Sequence, residues 1–236
     1  MKKHIALFAL SIASFLTSTE FISAAVINTI DTNNDSQWNV YKVENWQTFG
    51  NTMDGMQVTA TFGNGSETKT WEDTSGAVGT GWSLVMQYMA TANTWFDYAW
   101  WILTNNTNSP ITSLVIDGRP GNTVFDIILD DSDEYSPGSE NGRAAVANSD
   151  ISPYLNVDVL YSTQVTVKGT FYDDLYQTVT FDFSSTGYPS AGLQPGHSFW
   201  FALDTDNVNP VPEPATMLLF GIGAMGIAAF RKRKTV

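Results

Sequence analysis

Carboxylates are the residues in this sequence whose type and spacing invite chemistry. Asp130, Asp131, Asp133 and Glu134, with Glu140 beyond them, crowd a stretch that also holds Pro137, Gly138 and Gly142. Alternating carboxylates on a Gly/Pro-containing loop can wrap a hard cation such as Ca²⁺, which takes oxygen ligands in a flexible geometry. The spacing departs from the EF-hand loop, which needs a central Gly and a closing Glu at fixed positions. A solvated acidic loop is therefore the preferred reading, with Ca²⁺ as the alternative cofactor. The same weighing applies to Asp173-Asp174 and to Asp204 with Asp206.

Other chemistries lack their residues. There is no cysteine, which excludes a disulfide framework, a lipoprotein anchor, a thiol nucleophile and a thiolate metal site. After residue 25 the one histidine is His197; no G-x-S-x-G elbow accompanies it, so neither a Ser-His-Asp set nor a multi-histidine metal hydrolase is available. No phosphate-binding or dinucleotide glycine pattern is present. Glycoside hydrolysis by two acids stays open in principle, but nothing selects a pair among the 22 Asp and Glu of residues 26–210. The chain reads as a non-enzyme. Its eight tryptophans suggest another activity, sugar stacking. Trp100 and Trp101 are adjacent, so in a strand they point to opposite faces, and one of them is a candidate for ligand binding. Filling a core is the more ordinary use of such rings.

The elements that would position these groups are strands. Residues 26–210 carry 22 acids against five bases, a balance of −17, which argues against nucleic acid and anionic membrane surfaces as partners. Val40–Val43, Met56–Phe62, Glu67–Trp71, Trp82–Met89, Trp95–Thr104, Ile111–Asp117, Val124–Leu129, Tyr154–Tyr161, Gln164–Tyr172, Tyr176–Phe183 and Ser198–Asp204 are rich in β-branched and aromatic residues. Several alternate with period two, as Val179, Phe181 and Phe183 do with Thr180 and Asp182. Turns are expected at Gly63–Ser66, Asn105–Pro110, Gly118–Asn122, Asp173-Asp174, Gly187–Pro189 and Gln194–Gly196. Regular strand spacing without helical periodicity predicts an all-β fold: a jelly-roll-like antiparallel β-sandwich over residues 26–208.

The ends differ in kind. Residues 1–25 read as a signal peptide: Lys2, Lys3 and His4, then apolar Ile5 to Leu16, then small Ser23 and Ala25 at the −3 and −1 positions, with cleavage after Ala25 and Ala24 second. At the other end, residues 209–236 hold Val211-Pro212-Glu213-Pro214, the uncharged run Ala215 to Phe230, and Arg231-Lys232-Arg233-Lys234. Two prolines one residue apart favour an extended backbone. As a helix the apolar run rises about 24 Å, short of the roughly 30 Å hydrocarbon layer. The basic cluster stops transfer and stays cytoplasmic.

This tail resembles the PEP-CTERM sorting signal of exported bacterial proteins, in motif, order, spacing and terminal position. The resemblance implies that a membrane-embedded transpeptidase, exosortase, recognises Val211–Pro214 and removes the tail after the export machinery has delivered the domain. Segments around Ile111–Gly118, Val124–Asp126, Ser136–Ser139, Asp174–Tyr176, Gly192-Leu193 and Asp204–Asn207 also resemble other ectodomains of this class, implying a sandwich of unassigned activity. Three roles follow in order of preference: an exported structural or interaction protein of the envelope or extracellular matrix, an exopolysaccharide-binding module, and a carboxylate-dependent glycoside hydrolase.

Overall fold

Period-two alternation pairs its apolar side chains on one face, and a sheet so patterned needs a second sheet to cover it. The computed structural model of the chain describes residues 39–45, 48–89, 100–127, 142–148, 152, 155, 157–184 and 191–210, and these form two packed sheets. Thirteen strands are described: β1 Asn39–Asn45, β2 Gln57–Phe62, β3 Gly65–Thr70, β4 Ala77–Val78, β5 Trp82–Met86, β6 Trp101–Asn105, β7 Ile111–Asp117, β8 Thr123–Asp126, β9 Val146–Ala147, β10 Asp158–Val167, β11 Thr170–Asp182, β12 His197–Ala202 and β13 Asp204–Pro210. The larger sheet runs β10-β1-β13-β8-β11-β7-β2-β3 and the smaller β4-β5-β6-β12-β9. Pairing is antiparallel throughout except between β1 and β10, which are parallel.

Register builds the main core in rows. Val58, Ile116 and Val179 are cross-strand partners, and Ala60, Leu114 and Phe181 form the next row. Facing them, Leu84, Leu103 and Phe199 form one row of the smaller sheet, and Met86, Trp101 and Phe201 the next. All twelve are buried. Rings interlock across the gap, with Phe181 and Phe201 centroids 4.4 Å apart and Phe181 and Phe199 edge-on at 6.2 Å. Such aromatic pairs add about 1 kcal/mol each beyond their area.

The larger sheet also closes on itself. β11 pairs with β10 along one edge and with β8, then β7, along the other. Since β8 pairs β13, β13 pairs β1 and β1 pairs β10, five strands complete a ring. A second small core fills it: Val43, Val124, Val165, Val167, Leu175 and Val208, with Tyr172 against them. This ring goes beyond the jelly-roll-like pattern expected from the strand spacing.

Three expectations are corrected. Tyr154–Tyr161 and Gln164–Tyr172 are not separate strands: β10 runs unbroken from Asp158 to Val167, and the reversal falls at Lys168-Gly169. Both turn residues have positive φ, 51° and 80°, the handedness that matches the right-handed twist of a two-residue hairpin. Asp173-Asp174 is consequently no turn but lies within β11. Asp204 opens a further strand, β13, rather than closing one. The expected turn after Phe62 is present, with Phe62 opposite Gly65, and β7 has the bounds read from sequence.

Candidate functional site

Strand parity gathers carboxylates at one end of the ring. Asp204 and Asp206 lie two apart on β13 and share a face with Val208. On β8, Asp126 follows Val124 by two residues, and the register sets Asp126 opposite Asp204 and Val124 opposite Asp206. Leu175 of β11 is the other cross-strand neighbour of Asp126. The carboxylates therefore continue the face that supplies Val124, Leu175 and Val208 to the small core. Carboxylate oxygens of Asp126, Asp204 and Asp206 all lie within 4.8 Å of one another, and the three residues are 1%, 1% and 0% exposed. Like charges directly opposite on a sheet destabilise it, so this cluster is an unusual thing for a sandwich to bury.

A short segment covers it. The Arg143 N–H donates to the Asp126 carbonyl at 3.0 Å, and the Asp204 N–H donates to the Arg143 carbonyl at 3.1 Å. Ala145 N–H donates to the Tyr161 hydroxyl at 2.7 Å. Gly142 packs so closely that a Cβ there would stand 2.5 Å from Asp126 Oδ1 and 2.7 Å from the Ile127 carbonyl carbon. Thr205 N–H donates to Asp204 Oδ1 at 2.9 Å and fixes that carboxylate. The Asp126 carboxyl shares a side-chain hydrogen bond with Asp206, and among the described residues no donor reaches its Oδ2. Asp174, mostly buried on β11, offers its carbonyl to the Ile127 N–H at 2.9 Å.

Burial, and then the negative charges of Asp206, Asp174 and Asp204, push the Asp126 carboxyl well above the usual carboxylate range. Burial likewise raises the Tyr161 hydroxyl above its ordinary value. A set of carboxylates with no sulfur or imidazole among them has the donor chemistry of a hard-cation site.

Of the residues singled out in the sequence, Asp204 and Asp206 fall in this cluster and the rest fall elsewhere. Asp130, Asp131, Asp133 and Glu134 lie outside the described residues, as do Ser23, Ala25, Val211–Pro214 and Arg231–Lys234. Trp101 is fully buried between Trp71, centroids 5.0 Å apart, and Phe201, 5.9 Å; Trp100, just before β6, is half-buried. Asp204 and Asp206, read as solvated acids, are instead buried. Asp126 was missed. Its signal was an acid in an otherwise apolar strand, between Phe125 and Ile127, at the parity of Val124.

Residues 210–234 match the PEP-CTERM protein-sorting motif. Neither the curated proteins nor the solved structures include one significantly similar to the chain. The motif marks an exported protein sorted to the cell surface through exosortase, carrying here a β-sandwich.

Proposed function

We propose that the protein is a structural or interaction component of the cell envelope or extracellular matrix, delivered as a folded β-sandwich and cut from its tail by exosortase at Val211–Pro214. The observation that carries this reading is the junction between domain and motif. β13 ends at Pro210, and Val211 begins the tetrapeptide. β13 is flanked by β1 and β8 on its two sides, so the chain that completes the ring runs straight into the sorting signal. Cleavage in the motif would release the sandwich with every described strand intact. The role assigned is binding rather than catalysis, and His197 at the start of β12 is solvent-exposed. Intact mass of the protein recovered from an exosortase-bearing host tests the reading. A species lacking residues 1–25 and everything beyond about Val211 supports it; a species retaining Ala215–Val236 makes the tail a permanent anchor and overturns it.

A further inference from the structure

We propose that Asp126, Asp204 and Asp206 bind one divalent cation, Ca²⁺ by their chemistry, at the end of the β-ring beneath residues 142–145. Cation binding there would be independent of how the chain is sorted. Two oxygens bound to the same Ca²⁺ at its usual distances are at most about 5 Å apart, and the three carboxylates meet that limit with oxygens within 4.8 Å of one another. The second observation is independent of that clustering. Asp126 is 1% exposed, and apart from the side-chain hydrogen bond it shares with Asp206 inside the cluster, its Oδ2 meets no donor among the described residues; a buried carboxylate oxygen left so is costly unless something else satisfies it. Register fixes its direction: Asp126 stands opposite Asp204, with Asp206 one step along the same face.

Backbone packs closely against the cluster. Gly142 lies where any side chain would strike Asp126 Oδ1, and the Thr205 amide orients the Asp204 carboxylate. Around a dication the three ionised carboxylates would carry a single net negative charge with the metal, and attraction to the metal would replace the repulsion among them. Oxygen-only donors disfavour Zn²⁺ and Cu²⁺. Mg²⁺ demands a stricter octahedron and sheds its water reluctantly, so Ca²⁺ suits ligands held on two rigid strands better. The ion would tie the end of β8 to the start of β13 and so brace the ring.

The test uses the full chain in mild detergent, melted in EDTA and then with CaCl₂ or MgCl₂. At a hundredfold excess over Kd the melting midpoint should rise by about 5–10 °C with Ca²⁺ and less with Mg²⁺. Asp206→Asn, which keeps the shape and removes one charge, should melt at or above the unsubstituted protein in EDTA and lose the Ca²⁺-induced rise. Absence of any rise in the unsubstituted protein, or a full rise in Asp206→Asn, overturns the proposal; the latter would move binding to another acidic segment such as Asp130–Glu134. Terbium luminescence on the unsubstituted protein decides independently of whether the variant folds. A Ca²⁺-displaceable Tb³⁺ with few coordinated waters supports the buried site, and one with a mostly aqueous shell overturns it.

Discussion

The indole N–H of Trp82 donates to Glu67 Oε2 at 2.6 Å, and the two residues belong to different sheets. Glu67 sits on β3, the edge of the larger sheet, and Trp82 opens β5 in the smaller. The same carboxylate accepts from Thr80 N–H at 2.9 Å and Thr80 Oγ1 at 3.1 Å, and pairs with Lys69 Nζ at 3.0 Å. One side chain thus clips the open edge of the sandwich. Glu67→Gln is expected to cost about 1 kcal/mol, the partial exposure of the site trimming what a buried charged bond would contribute. A double-mutant cycle with Trp82→Phe should show coupling of similar size; additive losses would mean the clip is idle.

Glu67 also predicts an acid-side loss of stability. The Thr80 amide first, then Lys69, and more weakly Trp82 and the Thr80 hydroxyl, hold its carboxyl down from 4.5 to about 2. The folded state therefore binds this proton less readily than the unfolded chain does. The stabilisation is complete above about pH 4.5 and is lost as pH falls through about 2. Carboxyl chemical shifts titrated by NMR should place the Glu67 midpoint well below those of exposed glutamates, and a midpoint near 4.5 would contradict the clip.

Gly169 offers a clean conformational test. Its φ is 80°, and a Cβ added there would meet nothing within 4 Å. Gly169→Ala should therefore destabilise by about 1 kcal/mol through backbone strain alone. Chemical denaturation reads this directly: a lower midpoint with an unchanged slope is expected.

Adjacent tryptophans should behave oppositely. Trp101 is enclosed by Trp71 and Phe201, so Trp101→Ala is expected to cost about 3–5 kcal/mol. Its indole nitrogen has no hydrogen-bond partner among the described residues, so Trp101→Phe should recover much of that loss. Trp100→Ala, at a half-buried position, should cost under about 1 kcal/mol. If exopolysaccharide titration changes Trp fluorescence in the unsubstituted protein and not in Trp100→Ala, the domain is a sugar binder that uses this ring.

Processing supplies the last prediction. Glu213→Ala removes the one charge of the sorting tetrapeptide, and the full-length precursor should accumulate in an exosortase-bearing host. Normal processing, read by immunoblot or mass, would remove Glu213 from the recognition element.

Local patterning determined much by itself. Alternation in Ile111–Asp117 and around Val179–Phe183 has one stable outcome, a half-buried strand, and the Gly63-Asn64 turn needs no distant partner to be read. The tail motif was equally legible because its meaning lies in residue order. What the sequence could not say is which strand meets which. Asp-Asp is a common turn former, yet Lys168-Gly169 makes the reversal, because there a glycine takes a positive φ and the tyrosines and apolar residues flanking Asp173-Asp174 are worth more paired along β11. Asp126 and Asp204 are far apart in the chain and each looks like an ordinary surface acid alone. Only ring closure, with β8 laid against β13, sets them opposite each other and buries them with Asp206. Register between distant strands is decided by the packing of whole faces, and no local signal carries it.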